Sequence, residues 1–130
     1  MKYMLLIYLD EKSPLSEAER QECYVESTQI AHDLHAAGKY LGADPLHPTA
    51  MATSVRVRNG KRLVTDGPFA ETREQLGGYF LIDAKDLDDA LDVAARIPMA
   101  RKGGVVEVRP VIELPGLPLD SSTENRKDNL

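Results

Sequence analysis

A chain of 130 residues, 42% hydrophobic and 28% charged, fits one domain that can bury its own core, and a single cysteine, Cys23, excludes an internal disulfide framework. The formal net charge is −5, tryptophan is absent and the arginines are scattered, which excludes a basic, aromatic-interleaved nucleic-acid surface. No apolar stretch approaches the length of a membrane span.

Lys2 to Leu9 is apolar on both alternating sets of positions, the pattern of a short strand covered on both faces. Its apolar run stops at Asp10 and Glu11 with no small-residue cleavage site, so it is read as a strand and not as a leader. Ser16 with Glu19 three residues on has the form of a capping box. Cys23, Ser27, Ile30, Leu34 and Ala37 follow at helical spacing, and Gly38 stands where a C-terminal cap is expected, so a helix is predicted from Ser16 to Ala37. Gly42 to Pro48 reads as a loop by its Gly, Asp and Pro content. Thr49 to Arg58 alternates, Asn59-Gly60 is a type I′ hairpin signal, and Lys61 to Thr65 is the returning strand. Asp66-Gly67-Pro68-Phe69 breaks that strand, and another strand is predicted from Gly77 to Asp83. Asp86 caps a short helix carrying Leu87, Ala90, Leu91 and Ala94 on one face, which ends at Ile97-Pro98. Val105 to Ile112 is the last strand, and the polar stretch 116–130 is expected to be a mobile tail.

The order β-α-β-β-(β)-α-β predicts an α+β fold of the split βαβ, ferredoxin-like kind, with a mainly antiparallel sheet. Two helices cover only one face of such a sheet, yet several strands are apolar on both faces. The second face is expected to find its cover in a second copy of the chain.

The stretch Thr65-Asp66-Gly67-Pro68-Phe69-Ala70-Glu71-Thr72-Arg73-Glu74-Gln75-Leu76-Gly77-Gly78-Tyr79-Phe80 closely resembles the DGPF motif of the YCII-related domain family. Val55-Arg56-Val57-Arg58-Asn59-Gly60 resembles that family's hairpin and Val106-Glu107-Val108-Arg109-Pro110 its closing strand, so the likeness spans roughly Met1 to Glu113. The resemblance implies a domain over residues 1–114 followed by a tail over 115–130, a homodimer packed sheet to sheet as a dimeric α/β barrel, a cleft at the sheet interface and a cytoplasmic location. Relatives include a cofactor-free enzyme that removes chloride from a chlorinated aromatic ring-cleavage precursor. Members of the DGPF branch are often encoded beside extracytoplasmic-function sigma factors, which points to a regulatory partner. In one relative a histidine on the first helix and a nearby aspartate form a proposed dyad; Ser27 stands at the place of that histidine here, so the dyad does not carry over.

Asp66 is a candidate general base presented by a loop that Gly67 and Pro68 shape. The same four residues also read as a plain turn in which the Asp66 carboxylate bonds backbone N–H groups and Phe69 plugs the core. Glu71 and Glu74, one helical turn apart, can divide acid and base roles or be surface charges at a helix start. Glu107 and Arg109 share one face of the last strand, where Arg109 can clamp an anion, with Arg56 of the hairpin as a second clamp. The other reading of that face is a solvated or mutually paired one. His47 is a candidate proton shuttle or a surface loop residue, and Tyr79 either reaches the cleft or packs. His32 and His35 lack the companions that would complete a metal site, Cys23 reads as a buried small hydrophobe, and no phosphate loop, dinucleotide fingerprint or nucleophile elbow is present. Cofactors and metals are therefore expected to be none. The expected function is a cleft for a small anionic or aromatic molecule, with Asp66 and His47 as catalytic groups and Arg56, Glu71, Tyr79, Glu107 and Arg109 as substrate contacts in cofactor-free isomerase or lyase chemistry. The rival expectations are a non-catalytic ligand-binding or regulatory module and a purely structural role for the Asp66 loop. Neither nucleic acid nor membrane is an expected partner.

Overall fold

The computed structural model describes residues 1–13 and 15–118. Of the expected tail over 115–130, residues 119–130 lie outside the described residues. Six strands and two α-helices follow in the order β1 (Lys2–Leu9), α1 (Glu17–Ala36), β2 (Tyr40–Pro45), β3 (Thr53–Arg58), β4 (Lys61–Asp66), β5 (Gln75–Asp83), α2 (Leu87–Arg96) and β6 (Val105–Pro110). Short 3₁₀ turns occupy Thr49–Met51 and Pro98–Arg101.

The main sheet has the order β2-β5-β1-β6 and is antiparallel throughout, while β3 and β4 form a separate two-stranded hairpin. β5 lies between β1 and β2, which α1 connects, an arrangement compatible with the ferredoxin-like split βαβ pattern. The hairpin is an insertion between β2 and β5. Two stretches depart from the sequence reading: Gly42 to Pro45 of the expected loop belong to the edge strand β2, and Thr49–Met51 of the expected strand is a 3₁₀ turn. Gly, Asp and Pro are tolerated in β2 because the strand has a single neighbour and ends at Pro45.

The capping box at α1 forms in full, with Glu19 N donating to Ser16 Oγ and Ser16 N to Glu19 Oε1. The buried side of α1 is the stripe Cys23, Ile30 and Leu34. α2 is capped by the Asp86 carboxylate, which accepts from Asp89 N. Both helices cover the same sheet face: Ile30, Leu34, Ala90 and Val93 pack with Tyr3, Leu5, Phe80 and Ile82 into one core. Ion pairs fasten the helical layer. Arg96 of α2 meets Asp33 of α1 at 2.7 Å, and Lys39, just before β2, meets Asp89 of α2 at 2.8 Å. Among the described residues no helix is long and apolar enough to cross a membrane.

The opposite sheet face carries Met4, Leu6 and Tyr8 of β1 and Tyr79 and Leu81 of β5, all half-buried, and no described element lies over it. The hairpin turns through Asn59 and Gly60 at φ of +52° and +74°, the positive pair that a type I′ turn requires. Its valines and leucine, Val55, Val57, Leu63 and Val64, are all exposed.

Candidate functional site

A groove of about 940 Å³ lies between α1, the β2–β5 edge of the sheet and the Ile97–Met99 segment. Its floor is apolar, from Ile7, Ala43, Phe80 and Ile97. The wall on α1 is lined by Tyr24, Ser27, Ala31, His32 and His35. Ser27 and Ala31 are one helical turn apart and continue the stripe that buries Cys23 and Ile30, so the helical period itself aims them at the sheet. Ser27, at the position read as a departure from the family's dyad, is thus part of the groove wall.

The rim is held by a small network centred on Glu11. Its carboxylate accepts from Thr49 N at 2.9 Å and from Thr49 Oγ1 at 2.6 Å, while Glu11 N donates to Gln75 Oε1. Leu46 N donates to Gly77 O. The segment between them carries His47, exposed at the groove mouth on a loop fastened at both sides.

At the β2 edge, Tyr79 Oη donates to Asp44 Oδ2 at 2.7 Å. The hydrogen bond to the Asp44 carboxylate is the main reason that the Tyr79 phenol keeps its proton above the usual tyrosine range, with desolvation adding to it. The sheet register puts Glu107, Leu6, Tyr79 and Asp44 in one cross-strand row, and Arg109, Met4, Leu81 and Gly42 in the next. Three of the residues singled out from sequence, Tyr79, Glu107 and Arg109, therefore share the open sheet face. Glu107 and Arg109 are exposed and form no ion pair with each other. Asp44 was not singled out because its segment read as a loop. The signal that would have found it is the alternation of Tyr40, Ala43 and Asp44 with a paired partner strand, which a single segment does not display.

The remaining candidates lie elsewhere. Asp66 and Arg56 are on the hairpin, and its register places them on opposite faces: Asp66 is paired with Thr53, whereas Arg56 is paired with Leu63. Both are exposed. The Asp66 carboxylate bonds no backbone N–H, so the turn is not built by the mechanism expected from an Asp-Gly pair. Gly67 builds it instead, at φ +95°, donating its N–H to Ala52 O at 2.7 Å and accepting from Ser54 Oγ at 2.8 Å. Phe69 does not plug the core: it is 86% exposed. Glu71 and Glu74 belong to an irregular segment between β4 and β5 and not to a helix start. Cys23 is buried, as a small hydrophobe would be. His32 and His35 both line the groove, and the His35 ring meets Tyr40 edge-on with centroids 6.4 Å apart. Among the described residues no three His, Cys, Asp or Glu side chains converge as a metal site would need.

A similar protein, described as an uncharacterized protein of Rhizobium meliloti (strain 1021), is 40% identical over 114 residues, covering 85% of this chain and 92% of that one. Residues 1–115 match the YCII-related domain, which takes in every strand and helix described above. With that match spanning every described strand and helix, the chain belongs to the YCII-related domain family.

Proposed function

We propose that this protein is a homodimer, joined through the open sheet faces, that binds a small anionic or aromatic molecule in the groove beside α1. The observation that carries the reading is the groove itself: about 940 Å³, within the range of small-molecule sites, with an apolar floor and a few polar groups at its wall and mouth. The floor suits a planar or hydrocarbon body. Ser27, His32 and His47 offer hydrogen bonds to oxygen substituents.

The reaction class that fits these groups is cofactor-free acid/base chemistry, an isomerisation or elimination. An imidazole at the mouth, His47, is the group there with the chemistry of a general acid or base. The Tyr79 phenol has its one proton engaged by Asp44 and lies on the open sheet face, so in this reading it belongs to the dimer contact and is not a donor to the groove. Asp66 is less well placed for this role within its own chain, because no other candidate group converges on it.

The test is a soak of crystals with small carboxylates and hydroxylated aromatics, followed by turnover assays of whatever binds. Density in contact with Ser27, His32 or His47 is the expected result. Binding without turnover identifies a non-catalytic ligand-binding module. A groove that stays empty at every concentration overturns the reading.

A further inference from the structure

The groove's own lining offers little to hold a negative charge. Among its described residues Arg20 is the only lysine or arginine, and it meets Glu17 at 3.6 Å. The arginines expected from sequence stand elsewhere, Arg56 on the hairpin and Arg109 on the open sheet face. At the end of the groove lies a second concavity of about 320 Å³, which shares Leu9, Asp10, Ser13, Leu15 and Met99 with it. The rest of its lining has a different chemistry: Lys12, Arg73 and Lys102 all border it.

The sheet register explains this gathering. Leu9, at the end of β1, is paired with Gln75, and Tyr8 is paired with Val105. The residues just before β5 and just before β6 therefore flank the exit from β1, and three loops far apart in the chain contribute one cation each. Every one of these loops is fastened. Asp10 O accepts from Ser13 N and Asp10 Oδ1 from Lys12 N, both at 2.9 Å. Gln75 Nε2 donates to Thr72 O, beside Arg73. Met99 O accepts from both Lys102 N and Gly104 N. The backbone that carries the cations is thus set before any ligand arrives, which lowers the entropy lost on binding.

None of the three cations forms an ion pair with another described residue, whereas Lys39, Arg96 and Arg101 are each paired at 2.8 Å or closer. The pocket holds three cations against two carboxylates, Asp10 and Glu74, in a chain whose formal net charge is −5. Like charges gathered in one concavity repel, and an anion placed among them relieves the repulsion.

We propose that this pocket is the head-group site for the groove's ligand. It takes a carboxylate or a phosphate on Lys12, Arg73 and Lys102, the guanidinium as a fork and the two ammonium groups as point charges, while the ligand's apolar body lies on the groove floor. The ligand class is an amphipathic anion with its charge at one end. The inference rests on the groove reading above and adds to it the direction in which the ligand lies and the residues that select its charge.

The test is an NMR chemical-shift titration of the full chain with three probes that share one body: phenylbutanol, phenylbutanoate and phenylbutyl phosphate. Both anions are expected to bind at least about tenfold more tightly than the alcohol at low salt, with the preference shrinking as salt rises. The tighter of the two anions names the head group as carboxylate or phosphate. Arg73→Gln combined with Lys102→Gln is expected to bring both anions down to the affinity of the alcohol. Neither side chain has an ion pair to lose, so unchanged thermal unfolding is expected. Arg56→Gln with Arg109→Gln, outside both concavities, is expected to leave the preference intact. Alcohol and anions binding equally to wild type, or a preference that survives Arg73→Gln with Lys102→Gln, overturns the head-group site while the groove reading stands. No binding of any probe overturns both.

Discussion

Replacing Gly78 by alanine tests how tightly β2 is seated against β5, and hence how the groove edge is held. An added Cβ would lie 3.0 Å from Asp44 O and 3.3 Å from Pro45 Cα, where ordinary contact begins near 3.4 Å. Both obstacles are backbone, so no side-chain rotation relieves them. The chain must part by a few tenths of an ångström, and β2, with a single neighbour, is the strand that moves. Overpacking of this kind costs about 1–3 kcal/mol, while the loss of unfolded-state freedom on replacing glycine returns about 0.4–1 kcal/mol. The net expectation is a loss of about 1 kcal/mol, or about 4 °C in Tm for a domain of this size. Gly104→Ala is the internal comparison: its Cβ would meet Tyr8 O at 2.5 Å, between β6 and the central strand β1, and the expected loss is about 2–3 kcal/mol. Thermal unfolding of the two variants beside wild type provides the measurement. A Gly78→Ala protein as stable as wild type, or less stable than Gly104→Ala, would refute the argument that backbone crowding sets the position of β2.

Three further outcomes are expected. Asp44→Asn should bring the Tyr79 titration back toward the ordinary tyrosine range, read by NMR of ring-labelled tyrosine; an unchanged titration would mean that the carboxylate is not what holds the phenol proton. The Asp89 carboxyl is held below its ordinary range chiefly by the hydrogen bond from Lys39 and next by that from Lys85 N. Its contribution is therefore present above about pH 4 and is lost as pH falls through the lowered folded-state value, so Asp89→Asn should cost about 1 kcal/mol at neutral pH and flatten the acid limb of the stability profile. Ser16→Ala should cost about 1 kcal/mol through the capping box, with Ser16→Gly restoring part of it, as measured by urea unfolding.

Local rules made much of the framework legible before any coordinates. The Ser16–Glu19 box, the Asp86 cap, the Asn59-Gly60 turn and the stop at Ile97-Pro98 each depend on residues a few positions apart, and each stands where it was expected. The stretch from Thr65 to Phe80, with the hairpin and the closing strand, carried the family likeness that the domain match bears out. β2 escaped because its strand character comes from pairing with β5, roughly forty residues away, and not from its own Gly- and Pro-containing residues.

The candidate site divides along the same line. Alternation along single strands was enough to put Glu107 and Arg109 on one face and Val55 with Val57 on one face. It could not show that Tyr79 meets Asp44, that Arg56 and Asp66 face apart, or that Phe69 stands in solvent, since those facts come from register and from what packs nearby. Capping and turn formation are short-range and written in neighbouring residues. A groove walled by α1, β2 and β5 exists only once segments distant in the chain are brought side by side, and that was decided by the burial of one core beneath two helices.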